Sequence, residues 1–273
     1  MTDQWRAEID VDEDLARELI EGPWPQFRGT VIRRFGQGWD NSAYLVDERI
    51  IFRFPRRSIA VPLIAHELAM LPKIAPHVPF AIPNPSYAGV PGASYPWPFE
   101  GYDFVPGETA CTRELSDGER LQLATDLGQF LRALHDIDVE PLDGLRHDSF
   151  GKMRPELLGI QEPPLQAQDC VVHGDLYARH LLLDDGNRLC GVIDWGDLHR
   201  GPAAVDLSAV HMMIPPRHRE AFFAAYGEVD EQSWHFARYR ARHHASYVLE
   251  YAASVGDADL KRAAEVALAF TGS

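Results

Sequence analysis

The sequence predicts an α+β protein of two lobes, a small strand-rich first lobe and a larger helical second lobe with an inserted hairpin. Three observations predict it. Short β-branched and aromatic runs cluster between Thr30 and Phe54, where such runs read as strands. Apolar residues at helical spacing dominate from Ser116 onward. Between them, a proline-rich stretch from Pro76 to Pro98 and the turn Pro106-Gly107 mark a lobe boundary, with residues 1–103 on one side and 104–273 on the other. A chain of 273 residues is long enough for two lobes sharing a cleft.

The elements follow in chain order. Asp12 can cap a first helix that carries Leu15, Leu19 and Ile20 on one side and ends near Gly22-Pro23. Thr30-Val31-Ile32, Ala43 to Val46 and Arg49 to Phe54 read as strands, separated by Gly36-Gln37-Gly38 and by Asp47-Glu48. Ile64, Leu68 and Leu71 share one face of a helix that Pro72 is expected to terminate. The prolines that follow predict an extended loop and a further strand pair, and Tyr102 to Val105 a strand leading into a turn. Ser116 with Glu119 forms a capping box, opening a helix whose apolar face is Leu123, Leu127, Phe130, Leu131 and Leu134. After a loosely patterned stretch come Cys170-Val171-Val172 and the runs Leu181–Leu183 and Gly191–Ile193. The last two flank Asp184-Asp185-Gly186-Asn187, a hairpin turn signal. From about Ala204 the chain is helical in texture.

Composition narrows the function. With 41 acidic against 26 basic residues the formal charge is −15, which repels phosphate backbones and argues against a nucleic-acid partner. The same field suits a cationic small molecule, although many bacterial enzymes of the cytoplasm are simply acidic. Three cysteines, Cys111, Cys170 and Cys190, have no CxxC spacing, so neither a disulfide framework nor a zinc site is expected. The segment from Met1 to Arg6 has no basic and apolar leader pattern, and no apolar run nears the ~20 residues of a membrane span. The expectation is a cytoplasmic protein without a membrane partner. Oligomeric state is not legible.

Chemistry concentrates in His173-Gly174-Asp175-Leu176-Tyr177-Ala178-Arg179-His180, followed by Ile193-Asp194-Trp195-Gly196-Asp197. Phosphoryl transfer requires a carboxylate to orient the attacking hydroxyl and accept its proton, ligands for magnesium, and positive charge on the phosphates. Asp175, on the loop before the hairpin, suits the first role, and Asp194, at the end of the hairpin's second strand, suits the metal. This combination resembles the aminoglycoside/choline-kinase-like phosphotransferase family, a branch of the protein-kinase-like fold. Its pattern is H-G-D, four residues, Asn or His, then a hairpin ending I-D-W or I-D-F. The resemblance implies a catalytic-base role for Asp175, metal roles for His180 and Asp194, and magnesium with ATP or GTP as co-substrate. Most of the family has Asn where this chain has His180, a departure shared with macrolide phosphotransferases and aminoglycoside 2''-phosphotransferases. Magnesium prefers oxygen ligands, so four roles stand open for His180: metal ligand, phosphate contact, action through a water, or a hydrogen-bonded structural histidine.

The first lobe supplies counterparts. Phe35-Gly36-Gln37-Gly38-Trp39-Asp40-Asn41 lies between two strands, and Gly36 and Gly38 let backbone approach phosphates. A plain hairpin turn would use the same residues. Arg53 takes the place of the strand cation and Glu67 that of its helix carboxylate. Kinase-like enzymes more often carry Lys there, and Arg keeps the charge and adds a bidentate fork. Arg56 and Arg57 are alternative cations. Tyr102 to Val105, including Phe104, would be the linker whose backbone meets the nucleobase. Asp206 matches a family aspartate that braces the catalytic loop. His235 and His243-His244 lack metal-ligand spacing and read as structural. Arg238, Arg240 and Arg242 alternate over too short a stretch to bind nucleic acid, and Met212-Met213 and the six tryptophans read as core or cleft lining. Glu250, Asp257 and Asp259 read as a solvated helix face, with contact to substrate amines as the alternative.

The implied reaction places the nucleotide between lobes under the Gly36–Asn41 loop. The acceptor is a small molecule: an aminoglycoside, a macrolide, an amino alcohol or a sugar. A protein acceptor is disfavoured, because Asp206 follows Asp194 too soon for a long activation segment. A non-catalytic nucleotide-binding module is the alternative from another class.

Overall fold

The computed structural model describes residues 7–38, 40–140, 142, 144–146 and 169–272. Outside them lie Met1 to Arg6, Trp39 of the glycine loop, and most of the loosely patterned stretch before Cys170. The chain divides into two compact units, Met1–Pro76 with Ile82–Val105, and His77–Ala81 with Pro106–Ser273. His77–Ala81 joins the second unit although it precedes residue 103. Its Ala81 N–H donates to Cys190 O at 3.1 Å and its carbonyl accepts from Val192 N at 2.9 Å.

The first unit opens with α1 (Glu13–Glu21), where Asp12 Oδ1 accepts from Leu15 N at 2.9 Å, satisfying one of the orphan donors of the first turn. Five antiparallel strands follow, β1 (Ile32–Gln37), β2 (Asn41–Val46), β3 (Ile50–Pro55), β4 (Tyr87–Gly89) and β5 (Phe99–Asp103). They are ordered β1-β2-β3-β5-β4. The expected first strand is displaced: it starts at Ile32 and runs through Gly36 and Gln37, because a bulge between Arg34 and Gly36 lets the ladder continue past Phe35. The core on one side of the sheet holds Ile20, Tyr44, Phe52, Phe54, Tyr95 and Phe99, all at most 1% exposed. At about 1.5–3 kcal/mol for each large apolar side chain taken out of water, this cluster dominates the unit's stability.

Helix α2 (Val61–Ile74) corrects two expectations. Pro72 does not terminate it. The proline sits in the last turn, where its missing N–H costs a single bond and only two residues remain. The 20-residue segment Ser58–His77 is also long and apolar enough to cross a membrane, with 39% of an 18-residue window in it buried within the fold, contrary to the expectation that no run comes near. Here Ile64, Glu67, Met70, Leu71 and Ile74 are buried, and the carboxylate of Glu67 is ion-paired inside the unit, which is the pattern of a core helix.

In the second unit, α3 (Asp117–His135) begins at the expected capping box and buries Leu123, Leu127, Phe130, Leu131 and Leu134. A three-stranded sheet is ordered β6-β8-β9, with β6 (Glu108–Thr109), β8 (Leu181–Leu183) and β9 (Leu189–Val192). Between β8 and β9, Asp184 Oδ1 accepts from Gly186 N and Arg188 N, closing the hairpin as an Asx turn. Arg188 then pairs with buried Asp126 of α3 at 3.0 Å, fixing the hairpin to the helix. Strands β7 (Asp169–Val172) and β10 (His199–Pro202) pair antiparallel. Helices α4 (Ala204–Met213), α5 (Arg219–Tyr226), α6 (Glu231–Val255) and α7 (Ala258–Thr271) complete the unit. Met212 and Met213 are core residues, at 4% and 6% exposure.

Candidate active site

The loop after β7 is held by main-chain bonds to side chains from two helices. Asp206 of α4 is fully buried, and its carboxylate accepts from His173 N at 2.7 Å and Gly174 N at 3.0 Å. Burial pushes the Asp206 carboxyl up, but His135 of α3 and these N–H groups outweigh it and keep the group ionised more readily than usual. From α6, Arg240 donates to Gly174 O at 2.6 Å and Val205 O at 3.2 Å. His173 Nδ1 accepts from Asp175 N and Nε2 donates to Ile193 O, a neutral tautomer, and burial lowers its pKa. Gly174 has φ +92°, and a Cβ there would stand 2.3 Å from Asp197 O. Gly174→Ala is therefore expected to destabilise the protein by roughly 1–3 kcal/mol, measurable by denaturant unfolding.

This scaffold presents Asp175 with its side chain 34% exposed. Burial pushes its carboxyl up, but His244 and His180 outweigh that and leave it below the usual carboxylate range. His180 Nδ1 donates to Asp175 O at 2.7 Å, so only Nε2 can turn toward another ligand, and it lies 3.2 Å from Asp194 Oδ2. Burial lowers the His180 pKa, yet Asp194 and Asp175 more than reverse this and push it up to about 9. Asp194 adopts φ +64°, uncommon for a residue with a Cβ and a frequent mark of functional positions. On either side, Ile193 N donates to His180 O and the buried Trp195 Nε1 donates to Val192 O.

Among the described residues no group of three or more His, Cys, Asp or Glu side chains is placed to hold a metal. A pair is what magnesium shared with a nucleotide requires, since that ion usually takes one or two protein groups and fills its octahedron with phosphate oxygens and water. The Asp194 carboxylate fits by chemistry and His180 Nε2 by position. Both belong to one small surface beside Asp175.

In the first unit Arg53 Nη1 meets Glu67 Oε2 at 2.6 Å, as expected, and also Glu100 Oε1 at 3.0 Å. With its amide oxygen toward Arg53, Asn41 accepts from Nη2 at 3.1 Å. A Cβ on Gly36 would meet nothing within 4 Å, and on Gly38 only Asn41 O at 3.9 Å. Neither glycine is thus demanded by packing inside the unit. Arg56 Nη1 donates to Gly38 O, and Arg57 lies 3.3 Å from Asp40, so both arginines brace the end of the glycine loop. Tyr102 is buried beside Leu45 and Ile51, with Phe104 packed on the same cluster. The Phe104 N–H is committed to Arg49 O at 2.6 Å, and its ring stands edge-on to Phe35 with centroids 5.5 Å apart.

Glu100 was not foreseen. It is fully buried, and burial first, then Glu67, push its carboxyl up to about 8 against the opposing pull of Arg53. A raised carboxyl pKa means that the folded state binds this proton more tightly. The associated stability is full below the unfolded value of 4.5 and is lost as pH rises through about 8. Glu100→Gln, neutral at every pH, is expected to gain on the wild type by on the order of 1–2 kcal/mol between about pH 6 and 9, read from urea unfolding at each pH.

A family model described as "Phosphotransferase enzyme family" matches residues 31–157 and 152–242. The chain belongs to the phosphotransferase enzyme family. Solved structures with the same fold include the GDP complex of wild-type aminoglycoside 2'-phosphotransferase-IIIa, 20% identical, TM-score 0.74, covering 96% of this chain and 99% of that one. A second is the GDP and kanamycin complex of APH(2")-IIia, 20% identical, TM-score 0.71, covering 94% and 98%. A third is the apoenzyme of macrolide 2'-phosphotransferase MphH from Brachybacterium faecium, 21% identical, TM-score 0.63, covering 91% and 98%. These likenesses establish the kinase-like α+β fold.

Other residues of this phosphotransferase differ from their sequence reading. His244, read as structural, has Nε2 at 3.3 Å from Asp175 Oδ1. Asp257, read as a solvated face, caps α7 through Leu260 N and pairs with Arg179 of the loop after β7. The signal that could have exposed His244 is Arg240 four residues earlier, since i and i+4 share a helix face.

Proposed function

We propose that this phosphotransferase moves the γ-phosphate of magnesium-bound ATP or GTP to a hydroxyl of a small molecule of the aminoglycoside or macrolide kind. The observation that carries the reading is Asp175: a readily ionised, part-exposed carboxylate on a loop fixed by Asp206 and Arg240, with His180 and Asp194 adjoining. Asp175 orients the acceptor hydroxyl and takes its proton as the new oxygen–phosphorus bond forms and the bond to the nucleoside diphosphate breaks. Asp194, with His180 Nε2 beside it, would hold magnesium, which would neutralise charge on the phosphates. Arg53 supplies positive charge to the phosphates, and its two acidic partners, Glu67 and Glu100, hold the guanidinium in place. Gly36 and Gly38 offer open backbone to the same phosphates. Tyr102 and Phe104 border the nucleobase.

The nucleotide is supported by the GDP complexes among the similar structures, and the acceptor class by the antibiotics named with them. The net charge of −15 is compatible with a cationic acceptor. The test is incubation with γ-labelled magnesium-ATP and magnesium-GTP against aminoglycosides, macrolides, amino alcohols and sugars. Label on an aminoglycoside or macrolide supports the reading. Label only on an amino alcohol or sugar replaces the acceptor class, and nucleotide binding without transfer to any acceptor sinks the proposal.

A further inference from the structure

The catalytic loop receives two contacts from one helix. Arg240 and His244 are one turn apart on α6, and they reach consecutive loop residues, Gly174 through its carbonyl and Asp175 through its carboxylate. The core stripe of α6 is Phe236, Ala237, Ala241, Ala245, Val248 and Ala252. His244 projects onto the same face as that stripe, between Phe236 and Ala237, with its side chain 18% exposed, and an apolar side chain would serve packing there as well as an imidazole. The ring is placed by Tyr177, whose own ring stands edge-on to it with centroids 4.8 Å apart. Of the two Asp175 oxygens, Oδ1 faces His244 Nε2 at 3.3 Å, while Oδ2 lies 3.8 Å from His180 Nδ1, beyond hydrogen-bond reach.

We infer that His244 is a positioning residue for Asp175, engaging Oδ1 through Nε2–H so that Oδ2 is the oxygen turned to the acceptor hydroxyl. The inference rests on the proposed role of Asp175. Contacts of this kind are often long without substrate and tighten when it binds. The donor is Nε2–H, which the neutral imidazole supplies when its proton sits on Nε2. Burial, the largest influence, lowers the His244 pKa to about 4 against the opposing pull of Asp175, with Arg240 adding to the lowering.

The experiment compares His244→Leu, His244→Gln and the double variant His244→Leu with Asp175→Asn, all in the full chain. His244→Leu is expected to lower kcat about 10–100-fold, the cost of a misplaced reacting group, with KM for nucleotide and acceptor and the Tm unchanged. His244→Gln keeps an N–H close to where Nε2 stood, and is expected to recover most of the loss. In the Asp175→Asn background, His244→Leu should cost nothing further, because the two residues act as one unit. Unchanged kcat in His244→Leu overturns the inference, as does a loss that persists in full without the Asp175 carboxylate, or a Gln variant as slow as Leu. Full turnover in Asp175→Asn alone would overturn the role of Asp175 and this one with it. An inactive Asp175→Asn beside an unaffected His244→Leu would overturn only the role of His244.

Discussion

Asp175→Asn is expected to lower kcat for phosphate transfer by about 10²–10⁴-fold, the usual worth of a positioned general base, while nucleotide affinity stays within a few-fold of wild type. The amide has nearly the size of the carboxylate, so the loop should keep its shape. The loop is fixed through His173 N, Gly174 N and Gly174 O, and none of those bonds uses the Asp175 side chain. What the variant loses is an acceptor for the hydroxyl proton. A steady-state measurement that separates kcat from KM, with nucleotide binding measured independently, checks both halves. A fall in affinity that matches the fall in kcat/KM would instead make Asp175 part of the nucleotide site.

Asp194→Ala is expected to remove magnesium-dependent nucleotide binding, weakening it by more than about 100-fold. Residues one shell outside a metal already cost 10–100-fold when lost, and Asp194 is proposed as a direct ligand. The side chain is 54% exposed, so little packing is lost with it. The left-handed backbone there is less favourable for Ala than for Asp, which predicts a modest loss of stability beside the large loss of binding. Titration with nucleotide in the presence of magnesium and of chelator separates the two. Equal affinity in both conditions for the wild type would remove magnesium from the account. Retention of the magnesium effect in Asp194→Ala would move the metal to other ligands.

Much of this was legible in the chain because local chemistry and tertiary role coincide. Asp12, the Ser116–Glu119 box and Asp184-Asp185-Gly186-Asn187 each satisfy their own nearby backbone donors, so the residues announce the element. Arg53 and Glu67 were paired through the family pattern, and the structure joins them at 2.6 Å. The misses are of another kind. Glu100 lies in a short strand, and nothing in its neighbourhood in sequence reveals that Arg53, its register partner on β3, is shared between two acidic side chains. The start of β1 was misplaced because Gly36 reads as a separator, whereas a bulge carries the ladder through it. Pro72 was read as a stop because its sequence context does not say how few residues of helix remain. His244 was set aside for lack of metal-ligand spacing, a criterion blind to a histidine whose partner is a carboxylate about 70 residues earlier.

The most direct test of the central claim is a label-transfer assay with wild type and Asp175→Asn side by side, both saturated with γ-labelled magnesium nucleotide and supplied with the same hydroxyl acceptors. The account predicts label on an aminoglycoside or macrolide in the wild type, and its near-complete loss in the variant with the nucleotide still bound. Transfer at the same rate in both, or tight nucleotide binding with no label on any acceptor, would contradict it.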